Sequence, residues 1–489
     1  MSAIPSPSPA VSHAAPSIAP AAPAEIDVSC RAPVLFLFAS AAVWLVIASA
    51  FALMASLKFH APGFMAGCPC FTYGRVQPAQ MNALIYGFIA QAALGVALWL
   101  VARLGRTPLA LPGIIGSGAV FWNAGVTLGL FGILIGDGTG HEWLEMPGYA
   151  SPILFIAYSM IGVPALLTFH HRRERSLYVS QWFLLVALFW FPWIYSTADL
   201  LLVFFPVRGV LQAVVDWWYI GNLTSIGFGF IGLATIFYFL PKLAERPLHS
   251  RYLAILAFWT LALFGGWGGI HSGAPVPAWM PGISTVFSVL GVVPLLAIAI
   301  NFRKTFAGAS AKMNDSLPLR FIVFGAAAYL VAGLVAIVTA FPKVSLVTHF
   351  TIFTPARTQL FLYGFLGMTV FGAIHHIVPR VMQKDWPSAK LGDWQFRFAA
   401  SGLTLYAASM TLGGLLQGWG LGDPTVPFTT ALHRGLVMFR LSTLGDLAMA
   451  AGNGALALNL SWLLIRCCRE CCVPVVKSAL KPQWAEVAR

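Results

Sequence analysis

The stretch HFTIFTPARTQLFLYGFLGMTVFGAIHHIVPR, His349 to Arg380, decides how the chain is read. No formal charge lies between Arg357 and Arg380, and the residues between them are mostly apolar. A helix needs about 20 such residues to cross a bilayer. Arg357 sits near one end of that run, with Gln359 two residues later. Ionisable groups inside membrane spans face the protein interior and mark either a functional path or a paired structural charge. The position therefore asks what it was built to hold.

The rest of the chain repeats the pattern. Of its 489 residues, 58% are hydrophobic and 9% charged, with a mean hydropathy of +0.80. Too little charge is present to cover a soluble protein of this size, so most of the surface must face lipid. Apolar runs predict about twelve spans, at 32–56, 80–103, 112–135, 148–169, 178–205, 211–240, 251–272, 281–303, 319–341, 354–379, 395–417 and 436–466. They are read as helices, because backbone in lipid must satisfy its own hydrogen bonds, and the short alternating segments of a barrel are not visible. The expected fold is an all-α integral membrane bundle.

Basic residues fall in alternate loops. Arg103 and Arg106, then Arg172, Arg173 and Arg175, then Lys242, Arg246 and Arg251, then Arg303, Lys304, Lys312 and Arg320 mark one side. Arg380, Lys384, Lys390 and Arg397 continue the series, as do Arg466, Arg469, Lys477, Lys481 and Arg489. The intervening loops hold few bases, and Asp137, Glu142 and Glu145 make one of them acidic. The positive-inside rule predicts both termini in the cytoplasm. The net charge of +13 reflects this bias and an anionic inner leaflet rather than nucleic-acid binding. Residues 1–30 are rich in Ala, Pro and Ser and lack Lys and Arg, which predicts a disordered cytoplasmic leader rather than a signal peptide. One membrane domain is expected over 31–467, with a cytoplasmic tail at 468–489.

Cys467, Cys468, Cys471 and Cys472 lie together in RCCRECC. With no second ligand set they read as reduced thiols beside the membrane before they read as a metal site. Cys68 and Cys70 fall on the outer side, where oxidation is possible. No C-x-x-C-H occurs to hold a c-type haem covalently.

Four segments carry a family resemblance: DWWYIGNLTSIGFGFIGLATIFYFLPKLAERPLHSRYLAILAFW (Asp216 to Trp259), WGGIHSGAPVPAW (Trp267 to Trp279), the opening stretch, and the shorter YGRVQPAQMNALIYGF (Tyr73 to Phe88). Together they resemble the catalytic subunit I of C-family, cbb-type haem–copper oxidases, with nitric oxide reductases as architectural neighbours. That resemblance implies haem b, a high-spin haem and copper held by six histidines, oxygen reduction coupled to proton pumping, and membrane-anchored c-type cytochromes as partners. Imidazole suits both iron and copper. In the tenth helix a His-x-His pair is implied, and two residues advance a helix by about 200°, so such a pair serves two different haems.

This sequence departs from the implied set at nearly every position. Arg357 and Gln359 replace the His-x-His pair, and Gln80 stands at the other low-spin haem position. Gly221 and Ser272 stand at two copper positions, and only His271 keeps its ligand type. The tyrosine implied six residues before His271 is Gly265. Arginine has no lone pair to give a metal, and glycine has no side chain. No cofactor is therefore expected to be held, and His271 reads first as an interfacial histidine and second as a metal ligand. Arg357, Arg440, Asp199, Asp216 and Asp446 are the intramembrane charges; they mark an ion path or an acidic-ligand pocket, or else plug vacated space.

Three functions compete at this point. The first is a non-catalytic subunit of a respiratory membrane complex in the bacterial inner membrane. The second is a working terminal oxidase or nitric oxide reductase with unusual ligands, against which the loss of five of six ligands argues. The third is an ion or small-molecule transporter reusing the fold. Fold alone does not choose among them.

Overall fold

The computed structural model describes residues 21–271 and 273–479, without the side chains of 471–479. The fold is helical throughout these residues, with no strand among them. Eleven helices are long and apolar enough to cross a membrane. We number the helices α1 (Pro23–Lys58), α2 (Tyr73–Gly105), α3 (Pro112–Ile135), α4 (Ser151–His170), α5 (Val179–Phe204) and α6 (Leu211–Ala244). These are followed by α7 (Arg251–Trp267), α8 (Trp279–Phe306), α9 (Leu317–Thr339), α10 (Phe353–Met382), α11 (Ala389–Leu421) and α12 (Phe428–Glu470). The expected span at 251–272 is the exception in length. Its α-helix stops at Phe264 and a single 3₁₀ turn, Gly265–Trp267, follows. The Gly-Gly-Trp-Gly-Gly run explains the early end, because glycine costs about 1 kcal/mol relative to alanine in a helix.

Both ends of the expected domain also shift. The first helix starts at Pro23, inside the expected leader, with Pro at its first position and Glu25 in its first turn. Proline at that position gives up an N–H that has no partner anyway, and an acidic first turn suits the helix dipole. Asp27 then fixes this turn by accepting from Trp99 at 2.9 Å and facing Arg103 at 3.7 Å. At the other end, helix continues to Ala479, past the expected boundary at 467. Residues 1–20 of the expected leader lie outside the described residues.

Three helices form the centre. The apolar windows of α2, α6 and α10 are 100%, 83% and 89% buried, against 22% for α8 and 33% for α9. A helix apolar on all sides belongs in a core, and α2 carries small residues where neighbours come closest. A Cβ at Gly87 would stand 2.7 Å from Trp44, and one at Gly95 would stand 2.6 Å from Phe38, so α1 packs directly on α2. The same device joins α11 and α12. A Cβ on Gly402 would meet the Gly445 carbonyl at 2.7 Å, and one on Gly445 would meet the Gly402 carbonyl at 2.8 Å. Small residues that let backbones touch are the usual packing device between membrane helices.

Candidate functional site

The positions assigned by resemblance fall on the three central helices and on the glycine-rich end of α7. Gln80 is buried near the start of α2. Gly221 lies on α6, and Arg357 and Gln359 lie near the start of α10. His271 follows α7 in a loop, and Ser272 lies outside the described residues. Immediately after each helical position the chain widens into a π-helical stretch. These stretches are Ala83–Ile89 after Gln80, Leu223–Phe228 after Gly221, and Leu360–Gly367 after Arg357 and Gln359. Such stretches are rare and concentrate at functional sites, and α2, α6 and α10 share this uncommon distortion just after the assigned positions. Composition gives no sign of it, because a slipped hydrogen-bond register leaves the apolar pattern unchanged.

Arg357 is directed into the protein. Its Nη1 donates to the Thr339 hydroxyl of α9 at 3.4 Å, a long bond. No carboxylate lies within ion-pair distance of it among the described residues, so its partner is a hydroxyl rather than an opposite charge. Its charge is felt by Glu142, His271 and His349. The His271 and His349 rings stand 3.7 Å apart between centroids, and the Trp217 ring meets His271 edge-on at 5.1 Å. Burial pushes His271 down to about 4, with His349 and Arg357 adding to the effect. Burial and Arg357 also lower His349. The sequence offered no spacing that joins these two histidines; the loop before α10 brings them together.

The other intramembrane charges separate. Asp446 is buried on α12 and faces Ser56 of α1. Asp199 is buried at the end of α5 and accepts from Ser151 Oγ at 2.9 Å. Arg440 is exposed, which corrects its expected interior placement. It sits near the start of its helix, where a long side chain can carry its charge to the membrane surface.

The acidic loop between α3 and α4 is the component that sequence reading missed. It reads as a solvated loop, yet Trp143, Leu144, Glu145 and Met146 are all buried. Tyr86 of α2 donates to the Trp143 carbonyl at 2.7 Å, and its hydroxyl meets that of Tyr219 on α6 at 2.6 Å. Asn82 donates to Glu145 at 2.6 Å, while the Glu142 amide donates to Asp216 at 3.1 Å. Burial raises Glu145 to about 7 against the opposing Asn82 bond. Thus one loop stitches α2 to α6. Its only advance signal was a cluster of aromatic and apolar residues within an acidic loop.

These residues do not fit a haem–copper centre. Gln80, Arg357 and Gln359 offer no imidazole, and Arg357 places a cation beside the one surviving histidine. The Gly221 position is closed as well. A Cβ there would stand 2.7 Å from the Gly268 carbonyl oxygen, a backbone atom, so no side chain fits without moving the chain. A Cβ at Gly265 would be 3.1 Å from Ser225. The Gly265–Gly269 segment therefore lies against α6 where the implied copper ligand and tyrosine would project.

The all-helical bundle built around α2, α6 and α10 has the fold of a class, haem–copper oxidase subunit I. Residues 32–448 match the family described as Cytochrome C and Quinol oxidase polypeptide I, and the chain belongs to that family. It is 27% identical over 460 residues to a cytochrome c oxidase subunit 1 homolog of Agrobacterium tumefaciens, covering 86% of this chain and 84% of the relative. It is 26% identical over 443 residues to the cbb3-type cytochrome c oxidase subunit CcoN1 of Stutzerimonas stutzeri, covering 87% and 92%. The fold is also that of a haem–copper terminal oxidase solved as a dimer by cryo-EM, with a TM-score of 0.68 at 14% identity, over 88% of this chain and 84% of that one.

Proposed function

We propose that this chain is a non-catalytic subunit I homologue that serves as a structural or interaction subunit of a respiratory complex in a bacterial inner membrane. Both termini would lie in the cytoplasm, and other membrane subunits would be its partners, with membrane-anchored c-type cytochromes as the candidates. The observation that carries the reading is the replacement of donors at Gln80, Arg357, Gln359 and Gly221 together with closure of the Gly221 position by backbone. Redox chemistry in such folds belongs to the cofactors, and the protein's part is to hold and tune them. Without ligands there is nothing to tune. The π-helical stretches that follow Gln80, Gly221 and Gln359 support descent from a bundle that once held a site there.

A reduced-minus-oxidised absorbance spectrum of the purified chain, with metal analysis, tests this. The expected result is no b-type band, no stoichiometric copper, and no oxygen or nitric oxide reduction. One b-type haem per chain would overturn the reading.

A further inference from the structure

A cavity of about 440 Å³ opens at the Arg-rich end of the bundle, between the ends of α2 and α6 and the starts of α5 and α7. Three guanidinium groups, Arg103, Arg106 and Arg251, line it against a single carboxylate, Glu174. Arg103 is tied to Asp27 and Arg106 faces Glu174 at 3.6 Å, but Arg251 makes no ion pair among the described residues and donates only to the Leu177 carbonyl at 3.2 Å. Two helix N-termini, those of α5 and α7, meet at the same place, and helix N-termini attract anions.

Gln181, in the first turn of α5, adds an independent observation. It lines the cavity and is 1% exposed. Its Oε1 accepts the Tyr178 amide at 2.9 Å, while its Nε2 has no hydrogen-bond partner. A buried donor without an acceptor is costly, and natural structures seldom leave one.

We propose that this cavity binds a phosphate-bearing anion, with Arg251 and the Gln181 amide as its principal donors. Guanidinium groups bind phosphate through charge-assisted, often paired, hydrogen bonds. The positive-inside asymmetry puts the cavity at the inner-leaflet surface, where the phosphodiester of an anionic phospholipid is the abundant source. Apolar Leu177 and Leu248 in the same lining suit the glycerol and upper acyl segments of such a lipid.

Native mass spectrometry of the full chain in mild detergent, titrated with phosphatidylglycerol, phosphatidylcholine or inorganic phosphate, tests the assignment. Retention of about one phosphatidylglycerol per chain is expected where phosphatidylcholine is not retained. Arg251→Gln and Gln181→Glu should each weaken that retention about tenfold, the scale of losing one hydrogen bond to a charged group. Gln181→Glu keeps the acceptor for Tyr178 but puts a carboxyl in place of the donor at a buried position, so its melting without lipid is measured alongside; Arg251 is exposed, and Arg251→Gln should melt close to wild type. Protection by millimolar inorganic phosphate, with no preference between the two lipids, would keep the phosphate chemistry but replace the lipid by a soluble anion. Equal retention of both lipids without a phosphate effect, or unchanged retention in both variants, would overturn the site.

Discussion

At Arg357 the question is whether one residue separates this chain from a haem-binding relative. It does not, because Gln80, Gln359 and Gly221 would remain and Gly268 still closes the Gly221 position. Arg357→His is therefore expected to leave a haem extract of the purified protein at background; a stoichiometric haem in that single variant would show that ligand chemistry alone had been limiting. Glu145 makes a second prediction through pH. Its carboxyl is raised to about 7 by burial, whereas an unfolded chain ionises glutamate near 4.5. Rising pH across that window favours the unfolded state, so folding stability contributed by the neutral carboxyl is present below about 4.5 and lost by about 7. His271, pushed down to about 4, acts in the opposite sense, since the unfolded chain takes up its proton first as pH falls below about 6.5. Glu145→Gln keeps an acceptor for Asn82 and removes the ionising group. It should raise the melting temperature at pH 8, by a free energy of at most about 3 kcal/mol, and change it little at pH 4. A variant equally stabilised, or destabilised, at both values would mean that Glu145 is not held neutral.

Glycines set how closely the helices and the α7 segment approach. Gly221→Ala would press a methyl group onto the Gly268 carbonyl, and overpacking of this kind costs about 1–3 kcal/mol. Gly454→Ala on α12 meets nothing within 4 Å and should be neutral or slightly stabilising. Thermal unfolding of the pair in detergent checks this; equal effects would mean that the α6–α7 contact is loose. The elements themselves were largely legible. Length and apolar composition gave α1 to α12 because lipid leaves the backbone few choices, and the His349–Arg380 stretch located α10 almost to its ends. Three things were hidden. The π-helical stretches change hydrogen bonding without changing hydropathy, the early stop of α7 depends on what Gly265–Gly269 pack against, and the burial of the 143–146 segment is set by partners on α2 and α6. Each is a tertiary choice that local pattern does not encode.

The molecule as a whole presents a surface larger than its own bundle can use. Between the end of α9 and the start of α10, Leu346 is 78% exposed and Phe350 is 91% exposed; these lie in the connecting segment rather than in a spanning helix. Apolar side chains displayed together beside a membrane mark association with lipid or with another protein. The nearby half-buried His271–His349 pair shows that the same segment is held against the bundle, so its apolar side chains are displayed from a fixed base. A transporter would need a moving element and a route through the centre, yet the 137–150 loop ties α2 to α6 by several hydrogen bonds. The scaffold reading therefore predicts that tagged chain purified from its native membrane in mild detergent carries at least one membrane partner in fixed stoichiometry. Leu346→Glu with Phe350→Glu should release that partner while leaving the bundle's helical content and melting unchanged, because neither side chain is buried in it. A partner-free chain that remains stable and shows saturable solute flux in liposomes would sink the scaffold reading and favour transport.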